Sequence, residues 1–462
     1  MTVQQKAFKS RRRYNQWVTN QTLEDFALRY TPVSARRWSA KRVVMTALSA
    51  ITFLALEAIG GALTLTYGFN YVVVAVILVS IIIFALSMPI AINAAKNGLD
   101  IDLLTRGAGF GYLGSTVTSL IYASFTFIFF ALEAAIMAMA LNMLFGLPLH
   151  FGYLIGSVVV IPLVTWGFTF ISRFQQFTQF CWLALQLLPF IFILIREHHV
   201  LQNWIDFPGF ITARDGSFDF LQLGAVCSVL LSLVSQVGEQ VDQVRFLPKP
   251  QHPARWRWYG AVIAAGPGWV VIGAIKILLG SFLAVLAFNY GLGAELASEP
   301  THMYLVAFSY VTHSSSTLLA LTGIFVVLSQ LKINVTNAYS GSLAWTSAWT
   351  RTTKRYPGRI IFVVVNLAIA LALMEGDMFS ALSWILGFYS NFAIAWVVVV
   401  ATDITFNKGL LKLAPTQPEY RRGMIYNVNP VGVVSFGLAA GLSICAFFGL
   451  LGATLAPFSP LI

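Results

Sequence analysis

Charged residues are scarce in this chain. Asp, Glu, Lys and Arg make up 10% of its 462 residues, whereas soluble domains carry about 25%. Stretches without charge recur along the whole sequence, and 58% of all residues are hydrophobic. Most of these stretches are roughly 20 residues long, the length that an α-helix needs to cross a bilayer. The composition excludes an ordinary soluble domain and predicts an all-α polytopic membrane protein.

Cysteine and histidine are also rare, with three and six residues in the chain. Cys181, Cys227 and Cys445 fall in apolar stretches without disulfide or zinc spacing. The sequence also lacks a histidine cluster, an activated nucleophile and a paired catalytic motif. We therefore expect no enzyme activity, no bound metal and no cofactor.

The apolar stretches predict eleven membrane spans, numbered here in chain order. They cover residues 43–66, 71–92, 112–144, 151–171, 178–196, 220–245, 258–288, 316–345, 359–374, 379–402 and 431–456.

The net charge of +11 follows the predicted topology. Of the 29 Lys and Arg residues, 25 fall in alternate connections between spans, beginning with residues 1–42. Cytoplasmic loops carry such an excess, so we expect a cytoplasmic N-terminus and insertion in the cytoplasmic (inner) membrane. The basic surplus is then a signature of topology and predicts no nucleic-acid partner.

Two apolar spans contain glycine beside an acidic residue near their middle. Residues 56–61 of span 1 include Glu57, Gly60 and Gly61, and residues 235–240 of span 6 include Gly238 and Glu239. Irregular backbone at membrane depth survives only where it lines a cavity. Matched interruptions in two halves of a membrane chain indicate the central binding site of a transporter.

Spans 1–5 and 6–10 each begin with an interrupted helix, which predicts two inverted repeats of five spans. We divide the chain into a cytoplasmic N-terminal segment (1–42), repeat 1 (43–196), an external loop (197–219), repeat 2 (220–402), a cytoplasmic loop (403–430), and span 11 with a C-terminal stub (431–462).

Ionisable residues inside the spans are few, and each is a functional candidate because burial in a bilayer is costly. They are Glu57, Glu133, Glu239, Asp242, Lys276 and Lys332. Glu57 and Glu239 flank the breaks, where they either cap half-helices or bind substrate or protons. Asp242 and Arg245, three residues apart, predict a helix-end ion pair or an inner gate.

Lys332 has about fifteen apolar residues on its external side. A lysine at that depth pairs with an acid, extends to the interface or loses its proton. We favour a partner carboxylate, with Glu57 and Glu133 as the two alternatives. In span 3, Phe129 lies one turn before Glu133, an arrangement that suits a flat polar ligand: the ring stacks and the carboxylate accepts N–H bonds.

An ordered set of motifs resembles the nucleobase:cation symporter family one, the purine–cytosine and allantoin–hydantoin permeases. The matching pieces are Asn20 with Pro32 and Arg36-Arg37-Trp38, Gly98-Leu99-Asp100 with Arg106-Gly107, Asp242-Gln243-Val244-Arg245-Phe246, residues 334–341, and Asn429-Pro430. The resemblance covers residues 20–456 and is strongest to the branch that includes transporter-like domains of sensor histidine kinases.

The resemblance implies a five-plus-five inverted-repeat, sodium-symporter-like fold with broken helices 1 and 6 and twelve helices, so we interpret residues 458–462 as the stub of a twelfth. It also implies a permease for a nucleobase-like nitrogen heterocycle bound between spans 1, 3, 6 and 8. The expected substrate-binding residues are Glu57, Phe129, Glu133, Ser232, Leu233, Ser235, Gln236, Asn334 and Asn337.

The chain departs from its sodium-coupled relatives immediately before Asn334. Those members resembling it place hydroxyl residues there, whereas this chain has Lys332 and Ile333. We therefore expect transport without sodium, with a Lys332–Glu57 pair that replaces the ion and couples transport to protons. The competing interpretation is a membrane sensor that binds such a ligand and signals to a kinase.

Overall fold

The computed structural model describes residues 27–28, 30–197, 199–211, 218–250 and 255–462. This part of the chain is helical throughout, with short 3-10 and π turns and no β-strand. The Asn20 end of the N-terminal motif lies outside the described residues, and so does most of the predicted N-terminal segment.

The helices of the first half are α1 (Ala40–Ser49), α2 (Ala55–Tyr67), α3 (Phe69–Asn97), α4 (Ile101–Thr105), α5 (Ser115–Phe145), α6 (Leu149–Val158), α7 (Val160–Thr165), α8 (Gly167–Arg196) and α9 (Val200–Ile205).

The helices of the second half are α10 (Phe220–Leu231), α11 (Gln236–Val244), α12 (Arg255–Ala265), α13 (Trp269–Asn289), α14 (Ala294–Ser298), α15 (Pro300–Ser309), α16 (Ser315–Thr353), α17 (Arg359–Glu375), α18 (Leu382–Thr402) and α19 (Pro430–Phe447).

Eight helical segments among the described residues are long and apolar enough to cross a membrane. Span 1 consists of two shorter helices, span 4 corresponds to the shorter apolar stretch Leu149–Thr165, and span 9 is the 17-residue α17. The molecule is a multi-pass membrane protein, while the number of eleven spans stays a prediction. Span 5 begins earlier than expected, because α8 starts at Gly167.

Both broken helices are present, but the breaks lie upstream of the predicted positions. In span 1 the helix stops at Ser49 and resumes at Ala55, so Glu57, Gly60 and Gly61 are helical. In span 6 a 3-10 turn over Ser232–Ser235 separates α10 from α11, and Gly238 and Glu239 lie within α11.

The glycines of span 1 serve helix packing instead of a break. A Cβ on Gly60 would stand 2.0 Å from the carbonyl oxygen of Ile277, and a Cβ on Gly280 would stand 2.2 Å from Cα of Glu57. α2 and α13 therefore pack backbone against backbone. A glycine-containing turn at 266–268 divides span 7 into α12 and α13, and α1 packs on α12 as α2 packs on α13.

Candidate functional site

The carboxylate of Glu133 caps the broken helix of span 1. Its Oε2 accepts a hydrogen bond from the backbone N–H of Leu54 at 3.1 Å, and its Oε1 accepts one from Ala55 at 3.2 Å. These N–H groups belong to the start of α2, where a helix has no acceptors of its own and carries partial positive charge. Capping of a break was one of the two alternatives for Glu57 and Glu239, and in the structure Glu133 of span 3 caps the break of span 1.

Glu57 forms a fully buried ion pair with Lys276 of α13. Nζ of Lys276 lies 2.5 Å from Oε1 of Glu57, and the side chains are 3% and 0% exposed. The hydroxyl of Tyr304 donates to the same carboxylate oxygen at 3.2 Å, and Gln186 of α8 donates to the Tyr304 hydroxyl at 2.7 Å. The pair thus connects α2, α13, α15 and α8. Lys276 was among the predicted intramembrane charges, but no sequence pattern indicated its partner.

The predicted pairing of Lys332 with Glu57 is wrong. Nζ of Lys332 donates to the backbone carbonyl of Gln175 and to Oγ1 of Thr178, both at 3.0 Å, and both acceptors belong to α8. The side-chain amide of Gln175 donates back to the carbonyl of Lys332 at 2.6 Å. The ammonium therefore joins spans 8 and 5 through uncharged oxygens, because it faces α8 and Glu57 faces α13.

An aromatic row connects the two breaks. Phe53, in the break of span 1, meets the Phe129 ring edge to face at 6.2 Å, and Phe129 contacts Phe125 at 4.6 Å. Phe125 lies 6.4 Å from the ring of Tyr389 on α18, whose hydroxyl is 2.8 Å from Oγ of Ser235. The row thus ends in the 3-10 turn of span 6. Of its members, the sequence indicated Phe129 and Ser235.

The remaining predicted residues of span 6 have mostly local contacts. The Ser232 hydroxyl donates to the carbonyl of Val229 at 2.7 Å, and the Gln236 amide donates to Glu239 at 2.8 Å. Leu233 is buried and borders a cavity of about 20 Å³ that side chains of spans 2 and 7 also line. Leu233 therefore contributes to the packing of span 6 against spans 2 and 7.

In span 8 the two predicted asparagines form a pair. Nδ2 of Asn337 donates to Oδ1 of Asn334 at 3.2 Å, and Nδ2 of Asn334 lies 3.5 Å from the carbonyl of Phe130 in span 3. Oδ1 of Asn337 is buried and has no hydrogen-bond partner among the residues that the structure describes. The predicted contacts of these asparagines with a ligand remain a prediction.

Asp242 and Arg245 do not form the expected helix-end ion pair. Arg245 donates to the carboxylate of Asp100 at 3.0 Å, to the Tyr339 hydroxyl at 3.0 Å and to the backbone carbonyl of Asp242 at 3.1 Å. The Asp242 carboxylate instead accepts from the Tyr122 hydroxyl at 2.8 Å. Arg245 thus ties span 6 to α4 and span 8 at the predicted cytoplasmic side, a position that suits a gate.

Asp100 is a residue of this network that sequence reasoning missed. Its Oδ1 also accepts from the backbone N–H of Leu103 at 2.7 Å and so caps α4. The signal was available, since Asp100 belongs to a motif of the family resemblance. Tyr389 and Phe53 were also missed, and nothing in their sequence surroundings distinguishes them from other aromatic residues.

Several buried polar atoms of spans 1, 6 and 8 have no hydrogen-bond partner in the described part of the protein. They are Oε2 of Glu57, Oε1 of Glu239, Oδ1 of Asn337 and both amide atoms of Gln240. Buried polar groups are normally hydrogen-bonded, and an exception calls for a ligand, an ion or water. Each of these atoms can therefore bond to a further partner.

Comparison with solved structures identifies proteins that share this fold. Mhp1, a transporter of the nucleobase-cation-symport-1 family, in a closed conformation with bromovinylhydantoin bound, matches with a TM-score of 0.67 and 18% identity over 96% of this chain and 93% of its own. A substrate-bound Na⁺-coupled sialic acid symporter matches with a TM-score of 0.61 and 13% identity over 93% of each chain. A manganese transporter from Eremococcus coleocola matches with a TM-score of 0.54 and 12% identity over 91% and 92%.

These similarities confirm the predicted fold, the five-plus-five inverted repeat with broken helices 1 and 6. Mhp1 comes from the family that the sequence motifs resemble, and at 18% identity the likeness establishes the fold. The expectation that sodium is not used finds no support here, because one neighbour is Na⁺-coupled. No protein-family model matches the sequence, and no curated protein is similar to it in sequence.

Proposed function

We propose that this protein is a secondary active transporter that moves a nucleobase-like nitrogen heterocycle across the cytoplasmic membrane, with its N-terminus in the cytoplasm. One observation carries the proposal: an aromatic row joins the breaks of spans 1 and 6, and buried polar atoms of these spans lack hydrogen-bond partners among the described residues. Flat heterocycles combine an aromatic face with N–H and carbonyl edges, and such a site satisfies both.

The residues take distinct roles in this proposal. Phe129 stacks on the ring, while Asn334 and Asn337 bond its polar edge. Ser232, Ser235 and Gln236 act through the 3-10 turn of span 6, whose backbone bends beside the ligand. Because Tyr389 and Ser235 are hydrogen-bonded, movement of a ligand against Phe129 is transmitted to that turn.

For coupling, we propose that the Lys332 ammonium provides the fixed positive charge that a sodium ion provides in sodium-coupled relatives. Two contacts support this role. Lys332 joins span 8 to span 5, and the hydroxyl of Thr52 in the break of span 1 donates to the carbonyl of Ser329 at 2.9 Å. That carbonyl, one turn before Lys332, is thus already bonded to a protein donor. We also propose that protonation of Glu57 couples transport to a pH gradient.

Uptake in proteoliposomes tests the function. Purified protein is reconstituted, and uptake of radiolabelled uracil, cytosine, hypoxanthine and hydantoin is followed under a sodium gradient, a pH gradient or neither. We expect saturable uptake of at least one compound. F129A should reduce it at least tenfold, whereas F177A, at a phenylalanine that is 88% exposed on the surface of the fold, should leave it unchanged.

The outcomes separate the alternatives. Absence of uptake of every heterocycle under both gradients contradicts the transporter proposal, and ligand-dependent thermal stabilisation without uptake favours the sensor. Equal uptake in sodium and choline buffers is expected for the parent. A sodium gradient that stimulates the parent, or a K332S variant indistinguishable from it in both sodium and pH response, contradicts the role of Lys332.

A further inference from the structure

The N-terminal end of α2 is filled by a carboxylate of the protein itself. Half-helix N-termini in broken-helix transporters point at anionic groups of the substrate, because their free N–H groups and dipole favour negative charge. Here the two N–H groups, from Leu54 and Ala55, are bonded to Glu133, which is 0% exposed. A ligand anion at this position would have to displace Glu133 or lie beside it.

The surrounding charges also disfavour an additional anion. Four acids, Glu57, Glu133, Glu239 and Asp242, and three cations, Lys276, Lys332 and Arg245, are buried in spans 1, 3, 6, 7 and 8. Lys276 is bonded to Glu57, and Lys332 donates to α8. Glu239 accepts from the neutral Gln236 amide. None of these cations is paired with Glu133 in the described part of the protein, so in its carboxylate form Glu133 places a negative charge at the start of α2.

We propose that Glu133 is a specificity-determining residue: it holds the anion-binding end of the broken helix and restricts the substrate to neutral or cationic heterocycles. This inference rests on the proposed function and adds the charge class of its substrate. This role differs from a direct hydrogen bond between Glu133 and the ligand. Both carboxylate oxygens already accept N–H groups of span 1, and anionic ligands are excluded by charge repulsion.

Matched pairs of neutral and anionic heterocycles test the proposal. Equilibrium binding to the purified full chain is measured for uracil against orotate, which adds a carboxylate, and for hydantoin against hydantoin-5-acetate, which adds a carboxymethyl group. In the parent, the neutral compound of at least one pair should bind at least tenfold tighter than its anionic analogue. In E133Q, which keeps the shape and removes the charge, that ratio should fall at least tenfold because the anion binds more tightly.

The control variant is D403N, which removes the charge of a buried carboxylate just after α18, where Asp403 pairs with Lys408. It should leave the ratio within threefold of the parent. An unchanged ratio in E133Q, or an equal fall in D403N, contradicts the assignment to Glu133. If no neutral heterocycle binds the parent, the proposed function fails, and a second experiment then decides the role of Glu133 by itself.

That second experiment is rescue by a small carboxylate. E133A leaves the N–H groups of Leu54 and Ala55 without their acceptor, so added acetate should raise the Tm of this variant in a concentration-dependent manner. The parent should show no such rise beyond that seen with chloride at equal ionic strength. Equal responses of parent and variant contradict the proposal. If E133A cannot be obtained folded, E133Q is used in its place. Its amide can accept only one of the two N–H groups of α2, so acetate should raise the Tm of E133Q by a smaller amount.

Discussion

Removal of one partner from the Glu57–Lys276 pair should destabilise the protein far more than removal of both. K276M leaves the Glu57 carboxylate buried with a hydrogen bond from the Tyr304 hydroxyl, and E57M leaves the ammonium beside an apolar side chain. Each single variant therefore contains a buried charge without a counter-charge. The double variant E57M/K276M contains neither charge and fills the same space with apolar atoms.

The expected magnitude follows from the geometry. At an effective dielectric constant of about 20, unit charges 2.5 Å apart attract each other by about 7 kcal/mol. Most of that attraction offsets the cost of removing both ions from water, so the intact pair contributes little net stability. Loss of one partner exposes the desolvation cost of the other, and we expect each single variant to lose about 3–5 kcal/mol. The double variant should lose about 1 kcal/mol or less.

Denaturant unfolding in detergent, followed by tryptophan fluorescence, gives the four free energies of the double-mutant cycle. A matched control is R421M, which removes the cation of the exposed Arg421–Glu419 pair, at 2.6 Å in the loop before span 11. That substitution should leave unfolding unchanged, because an exposed pair is screened by solvent.

Additive losses would refute the reasoning. If the double variant loses as much free energy as the two single variants together, the side chains act independently and no buried pair exists. The same conclusion follows if K276M unfolds at the denaturant concentration of the parent.

Three further predictions concern other parts of the molecule. G280A should lower the free energy of unfolding by about 1–3 kcal/mol or more through overpacking, because its Cβ would stand 2.2 Å from the backbone of α2. The control is G441A on α19, where a Cβ would have no atom within 4 Å, and thermal unfolding should show it to be neutral or slightly stabilising. Burial raises the pKa of Asp102, in the connection after span 2, to about 6, above the value of about 4 in the unfolded chain. Because the folded state binds this proton more tightly, the free energy of unfolding should fall by about 2 kcal/mol as pH rises from about 4 to 6. The D102N variant should not show this decrease. Y389F deletes the hydroxyl that joins the turn of span 6 to spans 3 and 10, and it should cost about 1 kcal/mol of stability and lower the uptake rate without loss of ligand binding.

The sequence was sufficient for the class of fold, because hydropathy, charge asymmetry and two interrupted spans are local features. The sequence pattern misplaced the breaks, because glycine also occurs where two helices pack with their backbones in contact. α2 and α13 do so at Gly60 and Gly280. The partner of Glu57 depends on that same close approach, which no local pattern reveals. Lys332 was identified as unusual, but its acceptors are a backbone carbonyl and a threonine hydroxyl, groups that occur along every helix.

The division of spans 1 and 7 into two pieces each has a mechanical consequence. Because α2 packs closely on α13 and α1 packs on α12, the four helices form two rigid pairs: α1 with α12, and α2 with α13. The break of span 1 and the break of span 7 both connect one pair to the other. One pair can tilt relative to the other, and the change in backbone conformation is then confined to residues 50–54 and 266–268 and does not spread along the helices. Spin labels placed within one pair should keep their separation during turnover, whereas labels placed across the breaks should show two distances.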